Sequence, residues 1–403
     1  MTPQRFIALR YLRTKHSYGF ISLIGYLGMT GLAIGVAALI LTFSVMRGFE
    51  EAVASKVAGM DGHLRLMTVM GEHSALPDSI LQRIRAHPEV ANVTPFLARH
   101  ALIRRKRLAD GVLILGADWA QLEEAVDIGR LLTAGTLPRP GDDAMIVLGE
   151  KLAQALQVVP GDQLHLFDIT YLLSQQGLRG KNFTVAATYR SGMVEYDQLL
   201  AFTSLTDAQE LFAVDQSPSR AIVNLTDRDH ADRLAAAFEE DLGYPYYVVT
   251  WRQRHASLFS WLKGQQTPIL IIFGFIALVA LVNIFSTLTL VVIEKYRDIG
   301  ILRSLGFSRR QIRQIFLYQG GVVGLLGSGA GAGLALTLGF LQQRYELLAL
   351  DSDIYFMDAL PIQWSWQALV GIPCLAIIFS LLAAWWPAMR AGTIRPAEAL
   401  RYE

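Results

Sequence analysis

The sequence predicts an α-helical membrane protein with four transmembrane helices and one large α+β domain inserted after the first helix. Two observations support this fold class. Charged residues make up only 18% of the 403-residue chain, and the deficit is confined to four places. Each is a run of 30 or 31 residues without Asp, Glu, Lys or Arg, at residues 16–46, 264–293, 314–343 and 359–389. A membrane-spanning helix needs about 20 mostly apolar residues, so each run can contain one.

The four transmembrane helices are placed at residues 20–47, 267–293, 314–341 and 366–388. The apolar part of the first is too long for a signal peptide and has no small-residue cleavage site, so we expect it to be retained. Core helices of a large soluble protein, the alternative, would be shorter and would carry a polar face. The other segments are an N-terminal segment (1–19), the inserted domain (48–266), a loop (294–313), a second external loop (342–365) and a tail (389–403).

The orientation follows from Lys and Arg, which are enriched in the cytoplasmic loops of membrane proteins. Basic residues precede the first helix, fill the loop at 294–313 and follow the fourth helix. The loop at 342–365 has one basic residue, Arg344, and four acidic ones. We therefore expect both termini and the 294–313 loop in the cytoplasm, and residues 48–266 outside. The net charge of +1 gives no indication of nucleic-acid binding.

The inserted domain is predicted to combine short strands and helices, with no catalytic or metal-binding constellation. The histidines lack metal-ligand spacing, and the phosphate-binding motif G-x-x-x-x-G-K-[ST] is missing. We therefore expect no catalytic residue, no metal site and no ATP hydrolysis by that motif. The predicted strands are residues 111–116, 144–148, 163–167, 182–189, 198–202 and 220–225. The predicted helices are residues 149–158, 206–212 and 228–242.

One external segment, residues 168–182, is a long connection between two predicted strands. Its apolar residues are followed by a flexible basic tip, which would suit docking of a partner. An ordinary long hairpin is the alternative. The residues concerned are Tyr171, Leu172, Leu173, Leu178, Arg179, Gly180 and Lys181.

Small residues in the membrane helices predict close helix packing, because glycine lets helix backbones approach each other in lipid. Asn283 in the second helix is expected to form hydrogen bonds inside the bundle, although a role in a gate stays open. Apart from Arg47 at the end of the first, the predicted spans contain no acidic or basic residue, which disfavours ion-coupled transport. Two pairs, Gly31/Gly35 and Gly327/Gly331, have the four-residue spacing of such contacts, and Gly28 is a further packing candidate.

The loop at 294–313 contains EKYRDIGILRSLGFSRRQI and predicts a short amphipathic helix. Gly306 would end this helix, and Ser308 would cap the next one. Such a helix could lie on anionic lipid or bind in a groove of a cytoplasmic protein. Its mixture of acidic and basic side chains favours a protein partner. The candidate partner-binding residues are Glu294, Arg297, Asp298, Ile301, Leu302, Arg303, Leu305 and Gly306.

The same loop resembles the coupling loop of the FtsX/MacB-type ABC permeases, which share the plan of four helices with a large domain after the first. Two terminal segments are similar to the lipoprotein-releasing permeases of the LolC/LolE family: IALRYLRTKHSYGFISLIGYLGMTGLAIGVAALILTFSVMRGFE and AAWWPAMRAGTIRPAEALRYE. LGEKLAQALQVVPGDQLHL in the inserted domain is also similar to that family.

The resemblance implies a non-catalytic permease subunit of an ABC transporter in the inner membrane of a Gram-negative bacterium. A second permease subunit, homologous or identical, would pair with it, and a LolD-like ATPase would bind ATP and Mg and move the coupling loop. The machine would extract an acylated lipoprotein from membrane lipid and pass it to a LolA-like periplasmic carrier. Residues 168–182 fall where that family carries a hook for the carrier, without the proline-containing tip of the best-known hook.

Three points stay open. The resemblance does not decide between a LolC-like, a LolE-like and a homodimerising subunit. An FtsX-like subunit that activates a periplasmic cell-wall hydrolase is the alternative function. A MacB-like efflux partner is a third, but MacB carries its own ATPase domain ahead of the first helix, and only about 19 residues precede it here, so we expect the ATPase on another chain.

Overall fold

The computed structural model describes residues 19–69, 75–169, 179–214, 218–350, 357 and 359–395. The helices are α1 (Gly19–Asp61), α2 (Asp78–Arg85), α3 (Trp119–Val126), α4 (Ile128–Leu131), α5 (Glu150–Leu156), α6 (Val194–Leu199), α7 (Leu205–Phe212), α8 (Ala231–Leu242), α9 (Trp251–Arg254), α10 (Ala256–Glu294), α11 (Tyr296–Ser304), α12 (Arg309–Tyr345) and α13 (Trp366–Thr393). The strands are β1 (Leu64–Thr68), β2 (Val90–Arg105), β3 (Leu108–Ala117), β4 (Leu132–Gly135), β5 (Met145–Gly149), β6 (Gln163–Asp168), β7 (Gly180–Tyr189), β8 (Leu200–Ser204), β9 (Arg220–Leu225) and β10 (Tyr246–Thr250).

The chain divides into two units. The membrane unit comprises Met1–Glu50, Trp261–Ala349 and Ala359–Glu403, and the sheet unit comprises Glu51–Ser260 and Leu350–Asp358. Among the described residues, four helices are long and apolar enough to cross a membrane, namely α1, α10, α12 and α13.

The core of the membrane unit is formed by side chains from all four long helices. Leu32 and Val36 of α1 pack with Ile284 of α10, Ala335 of α12 and Ala384 of α13, and each of these is at least nine-tenths buried. Many of the larger apolar side chains on the same helices are exposed instead, including those of Phe275, Leu326 and Leu382. A core that includes small residues such as Ala335 and Ala384, with large apolar side chains also on the outer surface, is typical of helices that pack against each other in lipid.

The first two long helices extend well beyond the apolar runs that predict them. α1 continues to Asp61, and α10 begins at Ala256. In the extension of α1, Val53, Val57 and Met60 are buried within the sheet unit, at the three- and four-residue spacing that places them on one helix face. An uncharged run shows where a helix can lie in lipid, whereas packing decides where the helix ends.

The sheet unit contains one mixed sheet, ten-stranded in the described residues. The strand order is β10-β1-β9-β2-β3-β8-β5-β7-β4, and β6 pairs with both β2 and β7. β2 joins two halves of the sheet, because its first part pairs with β9 and its second part with β3. The β3–β8 and β5–β7 pairs are parallel.

Both faces of the larger half of the sheet are covered. In β5, Ile146 and Leu148 belong to one buried cluster, and Val147 between them belongs to the other. In β3, Ile114 likewise belongs to the first cluster and Leu115 to the second. Successive side chains of a strand point to opposite faces, so a strand buried on both faces is apolar throughout.

The strand predicted at residues 220–225 is confirmed to the residue, and those at 111–116, 144–148, 163–167 and 182–189 are confirmed with shifted ends. The strand predicted at 198–202 is wrong in its first two residues. These belong to α6, whose Asp197 carboxylate is fixed by hydrogen bonds from the backbone N–H and hydroxyl of Ser191, both at 2.7 Å.

Candidate functional site

The segment between α10 and α12 folds as the sequence predicted. α11 covers Tyr296–Ser304 and ends where Gly306 adopts a φ of +97°, a left-handed conformation that favours glycine. Ser308 caps α12 through a capping box, in which its hydroxyl accepts the Gln311 N–H at 3.3 Å and the Gln311 side chain accepts the Ser308 N–H at 2.7 Å. The end of α11 and the start of α12 are therefore defined by local chemistry.

The apolar residues of α11 and its C-cap do not form one free face. Ile299 is buried in a cluster with Ile312 and Phe316 of α12, and Leu302 is partly buried against the same cluster. Ile301 and Leu305 are instead 43% and 73% exposed. Of the predicted partner-binding apolar residues, Leu302 thus belongs mainly to the internal packing, and Ile301 and Leu305 form the surface that a partner can reach.

The charged residues of this segment form local ion pairs and a hydrogen bond or are exposed. Lys295 lies 3.6 Å from the Asp298 carboxylate and 4.0 Å from that of Glu294. Arg303 donates to the carbonyl oxygen of Phe307 at 3.3 Å, and Arg297 is exposed. Such partly exposed ion pairs contribute little to stability, so their charges remain available to a partner.

The predicted packing glycines bring α1 against two other helices. A Cβ at Gly28 would lie 3.1 Å from the Thr287 hydroxyl, and one at Gly31 would lie 3.2 Å from the Asn283 amide nitrogen. Gly28 and Gly31 thus lie against one face of α10, and Asn283 of that face is half-buried. Its hydrogen bonding inside the bundle stays a prediction. Gly35 is in ordinary contact range of Ile276 on the same helix.

Gly327 and Gly331 of α12 lie against α1. A Cβ at Gly327 would be 2.9 Å from the Leu32 side chain, and one at Gly331 would be 2.5 Å from the Ala33 carbonyl oxygen. Close approach of backbone at Gly331 leaves no room for a side chain. α1 is thus the helix shared by both predicted glycine pairs.

A second small-residue contact, between α12 and α13, was not singled out from the sequence. A Cβ at Gly320 would be 2.4 Å from the Ala384 side chain, and one at Gly324 would be 2.8 Å from Ser380. The Ser380 hydroxyl donates to the Gly320 carbonyl at 2.7 Å. The four-residue spacing of Gly320 and Gly324, repeated by Ser380 and Ala384, is the signal that could have found it.

The membrane unit contains an apolar cavity of about 520 Å³ between α1, α10 and α13. Its walls include Leu32 and Phe43 of α1, Phe273 and Ile276 of α10, and Phe379 of α13. A cavity with such walls can hold hydrocarbon but offers little to a polar ligand.

The external segment at 168–182 is shorter than the sequence predicted. Tyr171, Leu172, Leu173 and Leu178 lie outside the described residues. Gly180 and Lys181 form the start of β7 and pair with Phe167 and Leu166, so their prediction as a flexible tip is wrong.

Ion pairs and a hydrogen bond hold residues 179–181, at the start of β7, in place. The Lys181 ammonium lies 2.7 Å from the buried Asp207 carboxylate and also contacts Glu210, and Arg179 donates to the Glu210 carbonyl oxygen at 2.9 Å. Arg179, Gly180 and Lys181 therefore form the base of the β6–β7 hairpin, held to α7. Their role in docking remains a prediction.

Comparison with known proteins defines the class. Residues 27–241 match the family model for the MacB-like periplasmic core domain, and residues 270–396 match that for the FtsX-like permease C-terminal. The chain is thus a permease of the FtsX/MacB class. The periplasmic region of MacB from Actinobacillus actinomycetemcomitans is a solved structure with a TM-score of 0.36 and 12% identity, covering 50% of this chain and 95% of that one.

Curated relatives narrow the class to one family. The lipoprotein-releasing system transmembrane protein LolC of Xylella fastidiosa (strain 9a5c) is 32% identical, with 98% of both chains covered. The LolC of Neisseria meningitidis serogroup B is 30% identical and the LolE of Haemophilus influenzae 26%, each with 99% of both chains covered. The chain belongs to the LolC/LolE family of lipoprotein-releasing-system transmembrane proteins.

The family and the fold predicted from the sequence are both confirmed. The protein has four transmembrane helices and an inserted α+β periplasmic domain, which is the sheet unit. It is a membrane protein of the bacterial inner membrane.

Proposed function

We propose that this chain is the permease subunit of an ABC transporter that releases lipoproteins from the inner membrane to a periplasmic carrier. The observation that carries the proposal is its similarity, over 98% of both chains, to a protein named for lipoprotein release. The chain itself is non-catalytic, and a separate ATPase chain binds ATP and Mg and hydrolyses the nucleotide. A second permease subunit, homologous or identical, completes the transporter.

The apolar cavity supports an acylated substrate. Moving an acyl chain out of the bilayer costs about 0.8 kcal/mol for each buried CH₂ group. A cavity of about 520 Å³ with apolar walls lowers that cost, because its walls surround part of the acyl chain in place of the bilayer hydrocarbon. The remaining cost explains why release needs ATP.

The exposed pair on α11 supports an ATPase partner. Ile301 and Leu305 are exposed although the other side of α11 is packed into the membrane unit. An exposed apolar pair on a fixed helix, in a segment that also exposes Glu294 and Arg297, suits a groove in a second protein. The proposal places this loop and both termini in the cytoplasm, in accord with the Lys and Arg bias of the loops.

The hairpin between β6 and β7 is proposed as the docking site for the carrier. Its base is fixed by Lys181 and Arg179, which contact Asp207 and Glu210 of α7. A firmly held base suits a docking element, because binding residues are often carried by loops on a rigid scaffold.

Depletion of this chain from living cells tests the proposal. We expect lipoproteins destined for the outer membrane to accumulate in the inner membrane, measured by membrane fractionation and immunoblotting. Restoring the wild-type gene is the control and should return them to the outer membrane. Normal lipoprotein localisation together with a loss of cell-wall hydrolase activity would contradict the proposal and support an FtsX-like signalling subunit.

A further inference from the structure

Asp61, the last residue of α1, is the centre of a buried charge cluster in the sheet unit. Its side chain is 1% exposed. One carboxylate oxygen lies 2.8 Å from the Arg65 guanidinium of β1. The other lies 2.6 Å from Nε2 of His255 and 3.2 Å from the Arg254 guanidinium. Arg254 ends α9, and His255 directly precedes α10, so this one carboxylate contacts the ends of both long helices that enter the sheet unit.

Tyr196 of α6 extends the cluster to the other half of the sheet. Its hydroxyl lies 3.2 Å from Nε2 of His255. Its carbonyl oxygen accepts a hydrogen bond from the Tyr189 hydroxyl of β7 at 3.0 Å, and the same hydroxyl lies 3.0 Å from the carbonyl oxygen of Leu200 in β8. The Arg65 guanidinium lies over the Phe96 ring of β2, 4.9 Å from its centre. Side chains from both halves of the sheet thus meet the helix ends at Asp61.

The charges in the cluster are stable at neutral pH. Burial alone would raise the pKa of Asp61, but the hydrogen bond from His255 and the positive charges of Arg65 and Arg254 outweigh it and lower that pKa to about 2. Burial lowers the pKa of Arg65 to about 10, which leaves it protonated. Burial likewise raises the pKa of the Tyr196 hydroxyl well above its usual value, so this hydroxyl stays neutral.

A buried ion pair is a poor device for stability alone, because the cost of removing two charges from water offsets their attraction. Its advantage is geometric, since the partners are held at fixed distances and angles by directional hydrogen bonds. Removing one partner leaves the other charge buried and unpaired. The elements around Asp61 are therefore fixed to one another in a single arrangement.

We propose that Asp61 is a positioning residue of the transport cycle, which fixes the outer ends of α1 and α10 to the sheet so that helix movement is passed to the periplasmic domain. The role rests on the proposed function, because it concerns the use of ATP-driven movement for lipoprotein release. Asp61 itself touches neither nucleotide nor lipoprotein.

Asp61→Asn in the assembled transporter separates positioning from simple folding. The amide keeps the size of the side chain and removes the charge. We expect the ATPase chain to copurify at wild-type yield and basal ATP hydrolysis to be unchanged, while lipoprotein released per ATP hydrolysed falls roughly tenfold, a usual size for coupling between sites. Asp232→Asn is the matched control, because Asp232 forms an exposed ion pair with Arg252, and it should behave as the wild type.

A second variant covers the case in which Asp61→Asn fails to fold. Tyr196→Phe leaves all buried charges paired and removes only the hydroxyl that connects α6 to His255. We expect a smaller loss in the same ratio of release to ATP hydrolysis. The proposal would be overturned if Asp61→Asn released as much lipoprotein per ATP hydrolysed as the wild type. If Asp61→Asn does not fold, the same result in Tyr196→Phe would overturn it.

A distance measurement tests the connection without requiring transport. Spin labels are attached at the exposed positions Ser55 of α1 and Asp110 of β3, after the exposed Cys374 is replaced by Ser. We expect the distance between the two labels to have a narrow distribution in the protein with wild-type Asp61 and in Asp232→Asn. In Asp61→Asn we expect a broader distribution. Equal widths in the wild type and Asp61→Asn would overturn the positioning role. If the distribution broadens in Asp61→Asn but the wild-type transporter releases no lipoprotein, the proposed function is contradicted and the positioning of the helix ends is not.

Discussion

At the scale of single residues, Gly331 shows how tightly the membrane helices are packed. A Cβ there would lie 2.5 Å from a backbone oxygen of α1 and 2.9 Å from the Cβ of Val36. Neither atom can move by a rotamer change, because one is a backbone oxygen and the position of a Cβ is set by the backbone. Gly329, two residues earlier on the same helix, is exposed and has nothing within 4 Å of an added Cβ.

We therefore expect Gly331→Ala to destabilise the protein by about 1–3 kcal/mol through overpacking. Gly329→Ala should be neutral or stabilising by up to about 1 kcal/mol, because alanine favours the helix. The melting temperatures of both variants are measured in detergent. Both changes replace glycine by alanine in the same helix, so the difference between them does not come from helix propensity. Similar melting temperatures for the two variants would contradict the packing at Gly331.

The spacing of Gly31 and Gly35, and of Gly327 and Gly331, predicted that these residues pack, and the structure places them in contacts between helices. Spacing could not name the partner helix, because a small-residue stripe fits any other close-packed surface. Asp61 was not predicted as a site at all. Its partners Arg65, Arg254 and His255 are distant in sequence or look like ordinary surface charges, and only the fold brings them together.

At the scale of elements, α11 has two different sides. One is packed into the membrane unit through Ile299, and the other exposes Ile301 and Leu305. The sequence predicted the helix, its glycine end and the serine cap of the next helix, because these depend on local chemistry. It could not divide the apolar residues between the two sides, because Leu302 and Ile301 are equally apolar and only packing against α12 distinguishes them.

The exposed side predicts a clear effect of mutation. Leu305→Asp should reduce copurification of the ATPase chain, since the loss of one central apolar contact in an interface costs roughly 2–4 kcal/mol. The sheet unit should remain folded, as measured by its resistance to protease. Leu108→Asp, which makes the same change at an exposed leucine of the sheet unit, is the control and should retain the ATPase.

An undiminished ATPase yield with Leu305→Asp would show that α11 does not bind the partner through this side. Leu302→Asp is a weaker test of the same interface, because that side chain is partly buried against Ile312 and Phe316. A charge there would disturb the internal packing as well, so a loss of ATPase would have two explanations.

β2 shows the limit of strand prediction. It runs for 16 residues and joins the two halves of the sheet, yet no part of it was predicted. Pro95 interrupts its pattern, and proline usually argues against a strand interior. Arg99 and His100 place polar groups along its middle. Among the shorter strands, β1, β4 and β10 were missed as well, and the other six were predicted in whole or in part.

At the scale of the whole molecule, the distribution of charge along the sequence was sufficient to predict the layout. Four uncharged runs gave the four membrane helices, and the long segment between the first two gave the inserted domain. The strands and helices of that domain then indicated an α+β fold, and short segments at the termini and in the coupling loop indicated the family. The contacts of the sheet unit that fix α1 and α10 required the structure.

We propose that this chain, driven by a separate ATPase, releases acylated lipoproteins from the membrane. The most direct measurement uses the purified transporter containing this chain, reconstituted in vesicles with a labelled triacylated lipoprotein. The lipoprotein that appears in the soluble fraction is measured with ATP and Mg, or with ADP and Mg, in the presence of the periplasmic carrier. We predict transfer to the carrier with ATP only. Lipoprotein that stays in the vesicles while ATP is hydrolysed would contradict the account.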